Sequence, residues 1–446
     1  MFPHEIEDRY DVVIAGARCA GSATAMLLAR AGLKVLVVDP ARPGSDTLST
    51  HALMRGAVVQ LHRWGLLDRV KASGAPPIHA TSFHYGGRSG APEVIRIPIS
   101  SREGVDALYG PRRTELDPIL QEAAIEAGAT VLAEVAVANL VTDSGRVRGV
   151  ALSTPTGGRR TVAADLVIGA DGLRSKVARL VGADIRIAAR HTAATVYGYW
   201  PDPGIEGYVW TYRPGISVGA IPTHGGRVCV FTAMPAERFA AERARGNPAL
   251  HQQLLAEGAP ELVDMLGGSG PDAGSLRAFA GIPGFLRRSA GPGWALVGDA
   301  GYFRDPITAH GITDAFRDAE LLARAVTAGS GDALLGYVET RDDLVRGFLE
   351  VTDRIASFEW DIDEVKELHL ELSRSMKRQV AFVDTLVPTT TAATSGPLDM
   401  AAAPSALDDV GAPGHFDGTL EAPRRGALRD VRVQSPVDLF PSSARR

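Results

Sequence analysis

The sequence predicts an α/β protein with two sheets and a C-terminal helical region. Three short apolar runs, far apart along the chain, each end on a glycine, which is typical of strands that meet in one buried parallel sheet. Between them lie several β-branched and alternating segments, which indicate a second, mixed sheet. Beyond residue 342 the apolar residues recur at helical spacing, as expected for packed helices.

Residues 10–39 predict the β-α-β unit of a Rossmann-like fold. Residues 11–15 form an apolar, β-branched run, and Gly16 follows at the point where the chain must turn. Residues 20–30 are rich in Ala, Met and Leu, which favour a helix, and Gly32 marks its end. The second strand covers residues 34–38 and ends at Asp39.

Such a unit can bind phosphate at the helix N-terminus, while an acidic residue about 20 positions further on binds a ribose hydroxyl. Gly16 and Gly21 occupy the first and third glycine positions of this pattern, and Asp39 is the acidic residue. Arg18 replaces the second glycine, so its side chain must either point away from a phosphate or neutralise it. Taken alone, the pattern also fits a purely structural turn.

Length and composition limit the class of protein. The chain has 446 residues, more than one hydrophobic core usually organises, and a net charge of −5 without basic blocks. These features argue against a nucleic-acid partner and favour a small-molecule substrate. The two cysteines, and the absence of a signal peptide or an 18-residue apolar run, predict a cytoplasmic protein without a membrane span. We predict no metal site, and a monomer or homodimer.

The segment after Asp39 is a polar loop followed by an amphipathic helix that ends near Gly65. His51 lies where the loop meets this helix, and either caps the helix or faces solvent, or contacts a ligand. Residues 78–99 contain alternating segments that predict strands of the second sheet. Arg112 and Arg113 stand just before a predicted helix at 115–127, where the simplest interpretation is an exposed charge pair.

A meander and a return strand follow. Residues 131–140, 146–154 and 159–163 predict antiparallel strands joined by glycine-containing turns. Residues 165–172 then form an apolar run that ends on the turn Asp171-Gly172, and we expect this strand to rejoin the first sheet.

The later part of the chain predicts a second domain and then helices. Residues 191–280 contain strands near 195–200, 207–212, 216–221 and 228–234, and helices at 237–245 and 248–265. The glycine-rich residues 267–270 follow a helical stretch and are interpreted as a loop, so no separate nicotinamide-binding β-α-β unit is found. Residues 294–300 form the third apolar strand, and residues 343–386 are mostly helical. The remaining residues predict a poorly ordered or surface tail.

Three strand-terminal motifs in this order resemble the flavin-dependent monooxygenases of the para-hydroxybenzoate hydroxylase type, with the related halogenases and geranylgeranyl reductases. The motifs are GARCAG at 16–21, GADG at 169–172 and GDA at 298–300, and the resemblance covers residues 10–326. It implies an FAD-binding domain at 1–77, 101–182 and 281–342, a substrate domain at 78–100 and 183–280, helices at 343–387 and a low-complexity tail at 388–446.

The resemblance also implies which residues bind FAD. In such proteins the first turn and Asp39 hold the pyrophosphate and adenosine ribose, while Asp299 holds the ribityl or pyrophosphate side. Arg113, with Arg112 as the adjacent candidate, matches an arginine that reaches back to FAD, and Asp171 belongs to a motif associated with FAD and NAD(P)H. The full set of expected cofactor-binding residues is Gly16, Ala17, Arg18, Cys19, Ala20, Gly21, Asp39, Arg113, Val135, Asp171, Gly298, Asp299, Pro306, Gly311, Ile312 and Thr313.

The function implied is hydroxylation or oxidation of an aromatic or polyketide-like metabolite with O₂ and with NADH or NADPH as the donor. His310 is the titratable candidate for proton transfer, against the alternative that it only packs the loop. Two alternatives stay open: a reductase of the geranylgeranyl reductase type, and a non-catalytic flavin-fold binding protein. The halogenase alternative is weaker because the motif Trp-x-Trp-x-Ile-Pro is not found. Gly301 and Tyr302 replace the histidine that usually follows GDA.

Overall fold

The computed structural model describes residues 6–86, 91–102 and 104–386. The predicted tail at 388–446 lies outside these residues. The strands are β1 (Arg9–Ala15), β2 (Val35–Asp39), β3 (Pro77–Ile78), β4 (Ala80–Tyr85), β5 (Glu93–Pro98), β6 (Leu108–Tyr109), β7 (Thr130–Ala133), β8 (Ala136–Asp143), β9 (Arg146–Ser153), β10 (Arg159–Gly169), β11 (Ile185–Ala188), β12 (Ala193–Pro201), β13 (Tyr208–Arg213), β14 (Ile216–Thr223), β15 (Arg227–Pro235), β16 (Arg277–Phe279), β17 (Phe285–Arg287), β18 (Ala290–Gly291), β19 (Trp294–Leu296) and β20 (Tyr302–Phe303).

The helices lie between these strands and form the C-terminal region. They are α1 (Cys19–Arg30), α2 (Arg55–Arg63), α3 (Leu67–Ala72), α4 (Arg113–Glu126), α5 (Lys176–Leu180), α6 (Ala236–Glu242), α7 (Asn247–Gly258), α8 (Pro260–Met265), α9 (Gly311–Ala328), α10 (Gly331–Ala356) and α11 (Ile362–Thr385). Short 3₁₀ turns cover Arg243–Arg245, Gly298–Ala300 and Pro306–Thr308.

The first sheet has the strand order β18-β19-β10-β1-β2-β7, in which the pairs from β19 to β7 are parallel. The meander β8-β9 joins it through an antiparallel pairing of β9 with β10. Side chains alternate across β1: Val12 and Ile14 pack in the core on one face, and Val13 and Ala15 in a second core on the other. The predicted return of the strand at residues 165–172 to the first sheet is confirmed, because β10 pairs with β1.

The carboxyl ends of β1, β2, β10 and β19 lie at one edge of this sheet because the strands run parallel. In open α/β sheets this is the edge where ligands bind. Helices α1, α4 and α9 cover the adjoining face, with α1 packed against both of the others. The first prediction of a Rossmann-like sheet is therefore confirmed.

The second sheet has the order β16-β12-β15-β14-β13-β4-β5 and is mixed, since β13 pairs with β4 in parallel and the other pairs are antiparallel. Helix α7 packs on one face over a core that includes Val196, Val218 and Val230. The opposite face carries Tyr197, Tyr199, Trp210 and Phe231 and belongs to the main core. The predicted second domain with a mixed sheet is confirmed.

Several predicted boundaries differ from the structure for local physical reasons. The predicted strand 131–140 is two strands, because Glu134 has a positive φ of 58° and turns the chain between β7 and β8. The predicted helix 248–265 is divided into α7 and α8 where Ala259 precedes Pro260, since a residue before proline avoids the helical region. The strand predicted at 294–300 ends at Leu296, and the C-terminal helices begin at Gly331 rather than at 343.

No helix in the described ranges is long and apolar enough to cross a membrane. Within those ranges, no group of three or more His, Cys, Asp or Glu side chains is arranged to hold a metal ion.

Candidate functional site

The turn after β1 is possible only with glycine at two positions. Gly16 has a φ of +108°, and a Cβ there would lie 2.3 Å from the carbonyl oxygen of Ala170. A Cβ on Gly21 would lie 1.8 Å from the carbonyl oxygen of Gly16. The turn is thus pressed against the end of β10 and the first turn of α1. This close packing explains both glycines without any ligand, but it also places the start of α1 at the carboxyl edge of the sheet.

The N-terminus of α1 keeps its backbone N–H groups free of side-chain caps. Arg18 is the N-cap residue, with an extended backbone, and its side chain accepts no hydrogen bond from the helix. Its guanidinium instead lies 3.1 Å from Asp117 Oδ2 and 3.3 Å from Ser45 Oγ. The side chain that replaces the second glycine is therefore held by protein groups. The first-turn N–H groups, which have no partner within the helix, remain suited to an anion.

Asp39 lies beside this turn at the end of β2. Its Oδ2 accepts a hydrogen bond of 2.7 Å from the backbone N–H of Ala17, and its Oδ1 accepts one of 2.7 Å from Ala41. Val135 is close by, because its N–H donates to the carbonyl oxygen of Asp39 at 3.0 Å. A carboxylate oxygen has more than one lone pair, so the Asp39 carboxylate can still accept from a ribose hydroxyl.

A buried ion pair stands behind the turn. Arg113, the first residue of α4, donates to Asp117 through Nε at 2.9 Å and Nη2 at 3.1 Å. The thiol of Cys19 lies 3.3 Å from Asp117 Oδ1, and burial raises its pKa, so it stays protonated. The side chains of Arg113 and Asp117 are only 10% and 6% exposed. Arg113 is thus an internal partner of Asp117 rather than half of the exposed pair that the sequence suggested.

The GDA turn meets the glycine-rich turn. Gly298 has a φ of +59°, and a Cβ there would lie 2.9 Å from the Cβ of Ala20 in α1. Burial, reinforced by the carboxylate of Asp314, raises the pKa of Asp299 to about 7, although Arg113 opposes the shift. Because the two predicted phosphate- and ribose-binding turns touch each other, a single dinucleotide could contact both.

The Asp171 carboxylate is occupied by its own turn. It accepts hydrogen bonds from Ser175 Oγ at 2.5 Å and from the backbone N–H groups of Lys176 at 2.7 Å and Val177 at 3.1 Å. Its position at the end of β10 fits the sequence motif. Its hydrogen bonds, however, begin helix α5, and its predicted contact with FAD stays a prediction.

The loop before α9 is buried and tightly held. Asp305 Oδ1 caps the 3₁₀ turn Pro306–Thr308 by accepting from Ile307, and Ala309 is left-handed with a φ of 54°. His310 is the N-cap residue of α9, and its Nδ1 is hydrogen-bonded to the carbonyl oxygen of Thr308. Burial and the charge of Arg304 lower the pKa of His310 to about 3, so its ring is neutral. Its edge contact with Phe348, at 5.2 Å between ring centres, fits the loop-packing alternative.

The N-terminus of α9 is connected to the loop that precedes α2. The backbone N–H of Met54 donates to Thr313 Oγ1 at 3.3 Å, and a Cβ on Gly56 would lie 3.1 Å from Thr313 Cγ2. The same loop reaches the second sheet, since Ser49 donates its N–H to Tyr197 Oη at 3.1 Å. Residues 49–54 therefore contact both α9 and strand β12. We call the boundary between the two sheets at these residues the seam.

The seam contains three side chains that the sequence did not connect. His51 Nε2 lies 2.5 Å from Tyr199 Oη, and the guanidinium carbon of Arg112 lies 4.0 Å from the centre of the Tyr199 ring. Burial, followed by the charges of Arg113 and Arg112, lowers the pKa of His51 to about 3. His51 is 1% exposed, so it is neither a surface residue nor a helix cap of the kind expected from sequence.

Most of this chain matches one known protein family. Residues 9–352 match the family described as FAD binding domain. The chain belongs to this FAD-binding family. The match spans the glycine-rich turn, the GDA turn and both sheets, so the resemblance inferred from the motifs is confirmed.

The relatives of this FAD-binding protein by sequence include two kinds of reductase. The menaquinone reductase of Mycolicibacterium smegmatis is 29% identical over 349 residues, which cover 72% of this chain and 77% of that protein. The digeranylgeranylglycerophospholipid reductase of Methanothrix thermoacetophila is 27% identical over 354 residues, covering 74% of this chain and 82% of the relative.

Solved structures share the fold at lower identity. The flavin-dependent halogenase CmlS has a TM-score of 0.69 and 21% identity, covering 88% of this chain and 76% of that one. PqsL of Pseudomonas aeruginosa, described as a probable FAD-dependent monooxygenase, has a TM-score of 0.66 and 21% identity, covering 83% of this chain and 100% of that one.

A buried charge cluster supports α9 of the FAD-binding protein. Asp314 accepts from Arg304 Nε at 2.8 Å and from Arg317 Nη1 at 2.6 Å, and Arg317 Nη2 lies 2.6 Å from Asp318. The Arg304 guanidinium also lies over the Phe348 ring, 3.8 Å from its centre. The sequence carries a signal for this cluster, because α9 places Asp314, Arg317 and Asp318 at helical spacing among Ala and Phe residues.

Proposed function

We propose that this protein is an FAD-dependent reductase that acts on an apolar, unsaturated substrate bound at the seam. The observation that carries the proposal is the aromatic face of the second sheet, where Tyr197, Tyr199, Trp210 and Phe231 belong to the same core as residues of α1 and α9. Such a face suits a substrate with a large apolar body. The menaquinone and digeranylgeranylglycerophospholipid reductases, whose named substrates are largely hydrocarbon, support the reductase form of this proposal.

The residues of the first domain fit FAD. The uncapped N-terminus of α1 would hold the pyrophosphate, with Ala17, Cys19, Ala20 and the two glycines lining the turn. Asp39 would hold the adenosine ribose and Asp299 the ribityl side, with Val135 lining the adenosine end. Gly311, Ile312 and Thr313 would place the N-terminus of α9 against the ring, where a partial positive charge favours negative charge.

The protein itself binds and orients the cofactor and the substrate, and it excludes water from them. When bound, FAD supplies the redox chemistry, and NADH or NADPH is the proposed donor. The loop from Pro306 to His310 buries the approach to α9, and residues 49–54 close the boundary with the second sheet. His310 is neutral and packed against Phe348, so we assign it to this enclosure; the alternative role is proton transfer.

Hydroxylation with O₂ is the second candidate. The enclosure around the N-terminus of α9 favours it, because an oxygenase must keep water from the reduced cofactor. The reductase and the monooxygenase would both bind FAD in the same site, but only the monooxygenase would require dioxygen.

The first experiment is a reduction assay on the purified, FAD-containing protein. We expect the flavin absorbance to be bleached by NADH or NADPH under anaerobic conditions and restored when menaquinone is added. A flavin that neither donor reduces would contradict an enzymatic role with NAD(P)H. That result would favour a non-catalytic flavin-binding protein.

A further inference from the structure

Arg112 differs from its neighbour Arg113 in having no acidic partner among the residues that the structure describes. Arg113 is bound through two nitrogens to Asp117, whereas Arg112 makes no ion pair with any residue in the described ranges, and its Nε is buried without a hydrogen-bond partner. The backbone of Arg112 is fixed, because its N–H donates to His224 Nδ1 at 3.2 Å. Its guanidinium lies over the Tyr199 ring at 4.0 Å. A cation with a fixed backbone and an unused donor is suited to a ligand oxygen.

His51 is held in a costly conformation beside the same tyrosine. Its φ is 71°, a left-handed value that is uncommon outside glycine, and its Nδ1 is buried without a partner. Non-glycine residues in this region are strained, and such residues cluster at functional sites. The His51 and Tyr199 rings are also stacked, 5.7 Å apart with an angle of 19° between their planes. The strained loop thus serves to place the imidazole against the phenol.

The tautomer of His51 is assigned from the cost of burying an unpaired N–H, which exceeds the cost of burying an unpaired ring nitrogen that lacks a proton. We therefore place the proton of the neutral His51 ring on Nε2, from which it is donated to Tyr199 Oη. The phenol O–H of Tyr199 is then free to donate to something else. Burial raises the pKa of Tyr199 well above its usual range, and Arg112 opposes the shift only in part, so the hydroxyl keeps its proton and can donate it.

We propose that Arg112 and Tyr199 bind a carbonyl oxygen of the substrate, with His51 as the positioning residue that orients the Tyr199 hydroxyl. This inference rests on the proposed function, whose substrate it narrows to a quinone or other unsaturated ketone with an apolar body. The body lies along the aromatic face of β12, β13 and β15, where Trp210 and Phe231 contact each other with ring centres 5.7 Å apart. The carbonyl oxygen then faces the cluster of Arg112, His51 and Tyr199 at the seam.

The test measures binding and requires no turnover. Menadione (2-methyl-1,4-naphthoquinone) and 2-methylnaphthalene, which lacks both oxygens, are titrated separately into the oxidised FAD-containing protein, and the change in the flavin spectrum gives each affinity. Tyr199→Phe and Arg112→Gln should each weaken menadione binding about five- to tenfold and leave 2-methylnaphthalene unchanged, because each removes one hydrogen bond to oxygen. His51→Ala should weaken menadione binding in the same selective way, and His51→Gln, which keeps an N–H donor, should restore part of it.

Tyr208→Phe is the matched control. Tyr208 lies on the neighbouring part of the sheet, but its hydroxyl is used internally, donating to the carbonyl oxygen of Tyr109 at 2.6 Å. This variant should keep the ratio of the two affinities. An equal loss for both ligands in Tyr199→Phe, no binding of menadione to the unmodified protein, or loss of FAD from Arg112→Gln would each overturn the inference. Selective menadione binding in a protein that reduces no substrate would contradict only the proposed function.

Discussion

Arg113 and Asp117 form a two-bond ion pair one turn apart on α4, with Nε–Oδ1 and Nη2–Oδ2 distances of 2.9 and 3.1 Å. Arg18 adds a third contact to the same carboxylate at 3.1 Å. One buried carboxylate therefore holds the helix that starts beside the glycine-rich turn and the N-cap residue of α1. This pair links the stability of the fold to the geometry of the proposed FAD site.

Asp117→Ala should destabilise the protein by ~3–5 kcal/mol, because it leaves the buried Arg113 guanidinium without its counter-charge. The measurement is the free energy of unfolding in urea for the FAD-free protein. Asp343→Ala, which removes an exposed partner of Arg378, is the control and should cost less than about 1 kcal/mol. Equal stability of the two variants would contradict the role given to Asp117.

Asp39→Ala should weaken FAD binding by roughly 1.5–3 kcal/mol, since it removes a charged acceptor from the ribose position. Fluorescence titration of the FAD-free protein with FAD measures this directly. Asp171→Ala is the comparison: its carboxylate already accepts from Ser175, Lys176 and Val177, so the variant should lower FAD affinity less than Asp39→Ala does and should also lower stability. If Asp171→Ala loses more FAD than Asp39→Ala, the assignment of the two carboxylates is reversed.

Asp299 should make the FAD-free protein less stable as the pH rises. Its pKa is raised from 3.8 to about 7 by burial, so the folded state binds the proton more tightly than the unfolded state. The stabilising effect of that proton is fully present below about pH 4 and is lost as the pH rises to 7, and the effect is reduced because the side chain is partly exposed. Asp299→Asn should remove this part of the pH dependence of the melting temperature. Identical slopes for both proteins between pH 4 and 8 would refute it.

His310 should not titrate in the working range. Because burial lowers its pKa to about 3, the imidazole is neutral between pH 5 and 9, and His310→Asn should leave the shape of the kcat/KM profile against pH unchanged. Its rate can still fall through altered packing on Phe348. Loss of one limb of the pH profile in this variant would instead support proton transfer by His310.

The parts of the fold that are set by local pattern could be predicted from sequence. Residues 10–39 specify their unit through β-branched runs, a helix of strong formers and glycines at sterically forced positions. The individual strands of the mixed sheet could likewise be predicted from sequence. The division of 131–140 was not, because the positive φ of Glu134 is imposed by hydrogen bonds from residues 134 and 135 to Ala41 and Asp39.

The seam could not be predicted because its contacts join distant parts of the chain. His51 and Tyr199 are 148 positions apart, and only the pairing of the two domains brings them together. Arg112 and Arg113 look alike in sequence, yet one is an internal ion-pair partner and the other faces Tyr199. Arg113 is the first residue of α4, so Asp117 lies one helical turn later on the same face and can pair with it. This pairing could be recognised only if the start of the helix were known.

The measurement that tests the proposed function most directly is the fate of oxygen during turnover. The FAD-containing protein is incubated with NADPH or NADH and menaquinone, once under strict anaerobiosis and once under ¹⁸O₂, and the products are examined by mass spectrometry. We predict a product that carries two additional hydrogens, formed equally without oxygen and containing no ¹⁸O. A product that forms only in the presence of dioxygen and carries ¹⁸O would contradict the reductase and establish the monooxygenase.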